Sequence, residues 1–285
     1  VSITAQQPIA AVVNTVNDDP SVLHPLAFAT DSVAAGAATI YGAYASKNAA
    51  GIGRYSPIIV QNLGATAVTP VITFKPLTGG PGTANTFTFP SIAAGTAKAF
   101  DPRFSFNTQQ GTTTPAPCSA HSATCLGDGE YAFSIAGGTG ALIAAQVNAV
   151  SDATAMGYAA TPAPAAKYFL PNLTKSLCFC PAPPREVGWT TPIILQSVTA
   201  TSVTLKWYRN STDPSLNGAL LATQTLTLTP GAGMRIDPWD VAGLPADAQF
   251  AVVVDAGASG TITAIVTEFA PGGDNAMAYE GFPAP

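Results

Sequence analysis

The sequence predicts an all-β protein: two antiparallel β-sandwiches in tandem, preceded by an N-terminal strand extension. Three observations carry that prediction. The first is self-similarity: Gly53-Arg54-Tyr55-Ser56-Pro57-Ile58-Ile59-Val60-Gln61 reads against Gly188-Trp189-Thr190-Thr191-Pro192-Ile193-Ile194-Leu195-Gln196, 135 positions on. A similarity at fixed spacing decides architecture before any local argument. The second is alternation. Val203, Leu205 and Trp207 point one way while Thr204, Lys206 and Tyr208 point the other, and Thr86-Phe87-Thr88-Phe89 and Thr225 to Thr229 do the same. Period two places successive side chains on opposite faces of a strand. The third is punctuation by 26 Gly and 25 Pro spread along the chain, with no convincing helical period. Even the Ala-rich stretch Ser32 to Ala45 is interrupted by Gly36 and Gly42.

Taken in order, residues 1–45 read as strand extension and linker, 46–160 as the first sandwich and 161–285 as the second. Val1-Ser2-Ile3-Thr4 and Ile9-Ala10-Ala11-Val12-Val13 form the expected hairpin of the extension. Ile9 to Asn14 resembles the segments that close the two modules, Ala145-Gln146-Val147-Asn148 and Ala264-Ile265-Val266-Thr267, yet no opening half precedes it. First-module strands are expected near 56–63, 66–75, 84–90, 95–101, 130–136 and 141–150. Their counterparts fall near 190–198, 201–209, 219–229, 232–237, 249–255 and 260–269. Thr66-Ala67-Val68-Thr69 matches Thr201-Ser202-Val203-Thr204, and Phe100-Asp101-Pro102 matches Ile236-Asp237-Pro238. Residues 102–129 read as a long loop, and Gly137-Gly138-Thr139-Gly140 as a hairpin turn. Pro162, Pro164, Pro181, Pro183 and Pro184 flank the junction and predict a stiff, extended connector.

The modules resemble a recurring unit of secreted bacterial surface proteins, which string immunoglobulin-like β-sandwiches together. The residues that carry the resemblance are Tyr168-Phe169-Leu170-Pro171, Gly188-Trp189, Ile58-Ile59-Val60-Gln61-Asn62, Phe100-Asp101 and Ile9 to Asn14. It implies two tandem immunoglobulin-like sandwiches in an extracellular array, and it supplies no catalytic residues. The orphan N-terminal segment and the scarcity of charge depart from an ordinary multi-module stalk.

Charged residues make up only 9% of the chain, against about 25% in an average soluble domain. A surface of Thr, Ser, Asn and Gln repels copies of itself weakly, so packing against identical chains meets little electrostatic resistance. The net charge of −5, with 11 scattered basic residues, offers no cluster to neutralise phosphates, which argues against nucleic acid. No apolar run is long enough to predict membrane insertion. The start at Val1, with neither Met nor leader, predicts a processed, mature chain.

Cys118 with Cys125, and Cys178 with Cys180, are candidate disulfide partners; four cysteines allow three connectivities, and cross-links between the pairs stay open. Disulfides imply an oxidising, extracellular setting. Zinc is disfavoured because neither Cys-x6-Cys nor Cys-x-Cys has knuckle spacing, even with His121 nearby. Catalysis finds no motif: His24 lies in a linker-like stretch, and Asp101-Pro102 and Asp237-Pro238 read as turn chemistry. Asp18-Asp19 and Asp128-Gly129-Glu130 match no calcium loop, so no metal or cofactor is expected. Asn172 and Asn210 open glycosylation triplets in or near loops.

These observations predict a non-enzymatic extracellular structural subunit that self-assembles head-to-tail with identical subunits into a pilus-like filament or sheath. Ile3, Ile9, Ala11, Val12 and Val13 are the expected inter-subunit strand, augmenting a sheet of the neighbour. The alternative is a monomeric surface adhesin or carbohydrate-binding stalk that engages surface glycans.

Overall fold

The computed structural model describes residues 12–17, 26–31, 35–51, 53–110, 114–178, 188–269 and 276–284. Two strands come first, β1 (Val12–Asn17) and β2 (Leu26–Asp31), paired antiparallel. The first sandwich follows with β3 (Thr39–Lys47), β4 (Ile58–Asn62), β5 (Val71–Pro76) and β6 (Asn85–Thr88). It continues through β7 (Ala97–Phe100), the single-turn helix α1 (Phe106–Gln109), β8 (Gly129–Ala136), β9 (Ile143–Val150) and β10 (Ala155–Ala159). The second comprises β11 (Lys167–Lys175), β12 (Ile193–Ser197), β13 (Ser202–Asn210), β14 (Leu220–Thr227) and β15 (Gly233–Ile236). It closes with β16 (Ala248–Asp255), β17 (Ile262–Phe269), β18 (Ala276–Glu280) and the short β19 (Phe282–Pro283).

The chain is all-β and its sheets are antiparallel. Sheet β10-β9-β4-β7 faces sheet β3-β8-β5-β6 in the first sandwich. Sheet β18-β17-β12-β15 faces β19-β11-β16-β13-β14 in the second, so the two halves share one strand order apart from β19. Alternation builds each core. Ile58 and Val60 of β4 and Ile143, Ala145 and Val147 of β9 point inward onto Phe74, Phe87, Phe100, Phe106 and Phe133. The second core closes around Trp207, set edge-on to Phe250 at 6.1 Å between centroids.

The twelve strands expected from alternation all have counterparts, with ends shifted by a few residues. Strands β2, β3, β10, β11, β18 and the short β19 lie outside those expectations. β3 pairs with β8, so the first sandwich begins at Thr39 and the boundary placed at 45/46 falls inside a strand. Val12 and Val13 pair with Asp31 and Thr30 of β2; the expected partner, Val1 to Thr4, lies outside the described residues. Ile3, Ile9 and Ala11 lie outside the described residues.

β3 and β11 share a set of local devices. Each carries a register shift, between Gly42 and Ala45 and between Leu170 and Leu173. A bulge strands backbone groups that need partners, and a tyrosine hydroxyl from the sandwich's last long strand supplies them. Tyr158 donates to the Tyr44 carbonyl and accepts from its N–H. Tyr279 donates to the Asn172 carbonyl at 2.6 Å and accepts from its N–H. Burial pushes the phenol of both tyrosines well above its ordinary pKa, so they stay neutral donors. Each strand then ends on a buried lysine that snorkels to a leucine carbonyl, Lys47 to Leu126 at 2.6 Å and Lys175 to Leu244 at 2.8 Å. Next in line stand Asn48 and Ser176, both with positive φ, which turn the chain out of the sheet.

Candidate assembly interface

The two sandwiches are stacked sheet on sheet. In β12, Ile193 and Leu195 belong to the second core, while Ile194, on the opposite face, belongs to the first. Ile265 of β17 does the same. As a result every residue of β12 is buried, and Ile194, Gln196, Thr263, Ile265 and Thr267 are at most 2% exposed. The covering surface is the outer face of β3, β8 and the end of β5. Gly233 of β15 sits where a Cβ would meet Leu77 at 2.5 Å and Ala132 at 2.9 Å, so only glycine permits this approach.

Polar groups fix the register of the contact. Gln196 donates to the Phe133 carbonyl at 2.9 Å, Thr78 N–H donates to the Gly233 carbonyl at 2.8 Å, and Ala159 N–H donates to Glu280. Tyr44 donates to Glu130 at 3.0 Å, and Arg235 approaches the same carboxylate oxygen at 3.5 Å. Burial, reinforced by the Glu130 charge, pushes the Tyr44 phenol up to about 12. Contacts of this kind bind two surfaces in one alignment, although the Gln196 side-chain oxygen and the Thr263 hydroxyl are buried without a partner. The junction is therefore an extended contact, beyond the stiff proline connector the sequence implied.

The same face of the first sandwich is open. On β4, β7 and β9 the positions equivalent to the covered set carry Ile59, Gln61, Ala97, Ala99, Ala144 and Gln146, and none is charged. Ile59, Gln61 and Gln146 are half-buried, and Ala97 and Ala99 are exposed. Leu63 and Leu142 extend this face and are 40% and 47% exposed.

Among the described residues, β2 occupies the β10 side of that face. A Cβ on Gly157 would meet the Phe28 ring at 2.5 Å and Thr30 at 2.7 Å, so the two strands lie in close contact. β10 lies against β18 in turn, and the Gly157 position on β18 is Ala278, packed against the first core. β1–β2 thus stand to the first sandwich as β9–β10 stand to the second. By cross-strand pairing, Val13 opposite Thr30 matches Val147 opposite Tyr158 and Val266 opposite Tyr279. Val147 and Val266 are fully buried, whereas Val13 is 50% exposed.

The remaining candidates play local roles. Cys118 and Cys125 form a disulfide with Cα atoms 5.6 Å apart, which removes every cross-link of that pair to the later cysteines. Cys178 is also disulfide-bonded, and Cys180 lies outside the described residues. Asn172 sits at the β11 bulge, half-buried, with its side-chain oxygen accepting from Gln249 at 2.9 Å, in a strand where a loop was expected. Asn210 is exposed at the end of β13. Asp101 accepts from Arg103 N–H at 3.0 Å and Asp237 from Trp239 N–H at 2.9 Å, two equivalent Asp-Pro turns. His121 is exposed; His24 and Asp18-Asp19 lie outside the described residues. Among the described residues no three His, Cys, Asp or Glu side chains group as metal ligands, and no helix is long and apolar enough to cross a membrane.

Sequence reasoning missed the tyrosine plugs and the stacked face. The plugs had a signal: Ala155-Met156-Gly157-Tyr158-Ala159 reads against Ala276-Met277-Ala278-Tyr279-Glu280. The face had a weaker one in the unbroken apolar pair Ile193-Ile194, which fits a strand buried on both sides. The chain matches no protein-family model and no curated protein.

Proposed function

We propose that the protein is an extracellular structural subunit of a pilus-like filament or sheath. Successive β-sandwiches stack sheet on sheet, as the two modules already do, and β1–β2 lend strands to a sandwich of the neighbouring polypeptide. The observation that carries this reading is the uncharged, partly apolar face of β4, β7 and β9 beside the half-exposed Val13. A face of that kind at a position covered in the sister sandwich marks an interaction surface. Electron microscopy of the purified protein, beside light scattering over a range of concentrations, tests it. Fibres with a regular axial repeat are expected; a concentration-independent 28.8 kDa particle would remove the reading.

A second reading, a glycan-binding surface module, draws on a separate observation. Phe169 and Phe282 pair across β11 and β19 and are 44% and 59% exposed. Adjacent exposed rings give a sugar an apolar face to rest on. Saturable binding on a glycan array that Phe282→Ala abolishes would favour this reading over the first.

A further inference from the structure

We infer that β1–β2 and the face of β4, β7 and β9 together form a receptor for six strands of this same repeat, equivalent to β3–β8, supplied by polypeptide beyond residues 1–285, whether joined to them or separate. The inference rests on the structural reading above and names what the neighbour brings. The strand pair occupies the seventh and eighth positions of a sandwich. β1 is paired with β2 on one edge, and its other edge is where β4 stands beside β9 and β12 beside β17. The side of the pair that bears Val13 corresponds to the fully buried side of β9 and β17. Beside it, the face carrying Ile59, Gln61, Ala97, Ala99, Leu142 and Ala144 is the one that, on the second sandwich, receives the outer face of β3 and β8.

One incoming unit satisfies both openings. Its second strand pairs with the edge of β1 opposite β2, and its inward side chains cover Val13. Its first and sixth strands lie across β4 and β9 as β3 and β8 lie across β12 and β17. Gln61 then holds the place of Gln196 and donates to a backbone carbonyl of the incoming sixth strand, as Gln196 does to Phe133. The occupant comes without a last strand pair of its own, because β2 already fills that place over β10. In a second copy β17–β18 hold the equivalent position in the second sandwich, with Val266 fully buried, so a copy accepts the pair there only by releasing its own.

The test reads the solvent access of one side chain in the full chain. Val13→Cys introduces a thiol where the described residues contain no free cysteine. A polypeptide of residues 35–142, carrying β3–β8, is added in trans as the probe; in a second sample it is joined ahead of residue 9. The thiol in the chain alone is expected to label at the rate of an exposed cysteine, and both samples to slow that rate about tenfold or more. Ile59→Asp, which leaves the strand pair untouched, is expected to restore fast labelling in trans. The inference is overturned if Val13→Cys labels equally fast in the joined protein, whether the added strands fold elsewhere or do not fold. It is also overturned if Ile59→Asp leaves protection in trans intact. Light scattering of the unmodified chain separates the two claims. A strict monomer whose thiol is protected by the probe removes the filament reading and keeps the receptor.

Discussion

The outer faces of two equivalent sheets differ in what they touch, and in little else. In the second sandwich, β12 and β17 present Ile194, Gln196, Thr263 and Ile265 to the first sandwich, and all are buried. In the first, β4 and β9 present Ile59, Gln61, Ala144 and Gln146, and only Ala144 is buried. Both faces obey the same alternation and both carry Ile and Gln in the same two places on their central strand. The difference shows that a strand's second face acquires its burial from a neighbour, so local pattern alone does not assign it.

The comparison breaks most sharply with a charge. Ile194→Asp buries an unpaired carboxylate between the sandwiches and is expected to cost roughly 4 kcal/mol or more. The equivalent Ile59→Asp, on the open face, is expected to cost under about 1 kcal/mol in the isolated chain. Denaturant midpoints measure both, and equal losses would mean the two faces are not distinguished by covering. Next in size is Tyr158→Phe, which leaves the bulge N–H and carbonyl of Tyr44 without their partner; a loss of about 2–3 kcal/mol is expected. Tyr279→Phe, at the half-buried Asn172, is expected to cost about 1 kcal/mol, because water reaches that site.

Removing the Cys118–Cys125 disulfide should cost about 2 kcal/mol, since it closes a short loop of sequence separation 7. Thermal scans of a Cys118→Ser, Cys125→Ser double variant beside the unmodified chain read this, and the loss should fall on the first sandwich, because the disulfide at Cys178 stays intact. The smallest effect concerns Glu268, buried on β17, whose carboxyl is pushed up by desolvation. The folded state therefore holds its proton more tightly than the unfolded state. Stability from this group is fully present below the ordinary carboxylate range and is lost as pH rises through the raised folded value. Glu268→Gln should flatten that decline and raise the midpoint slightly at pH 7; an unchanged pH profile would show that the carboxyl is not desolvated.

Much of the fold was legible. Thr204-Leu205-Lys206-Trp207 and its relatives specify strands by alternation, and Gly137 to Gly140 sets the turn between β8 and β9. β3 escaped notice because Gly42, Ala43 and Ala45 are small residues on a strand with a bulge, where alternation fails and composition suggests no strand. β10 escaped because its alternation lasts only from Ala155 to Ala159. Of the candidate interface, the orphan strand near Val12 and Val13 was visible as a partial copy of a longer pattern. Its pairing with Leu26 to Asp31 was not legible, since it joins segments separated by a longer interval than an adjacent hairpin.

The sequence by itself determined that this chain is β-rich and where most of its strands and turns fall. Those properties follow from side-chain period and turn chemistry, which act over a few residues. The tertiary structure alone decided that the modules stack face to face, that Ile194 is buried while Ile59 is open, and that Tyr158 and Tyr279 fill the bulges of strands more than 100 positions away. Burial and hydrogen-bond satisfaction depend on which distant surfaces meet, and no short stretch of sequence contains that information.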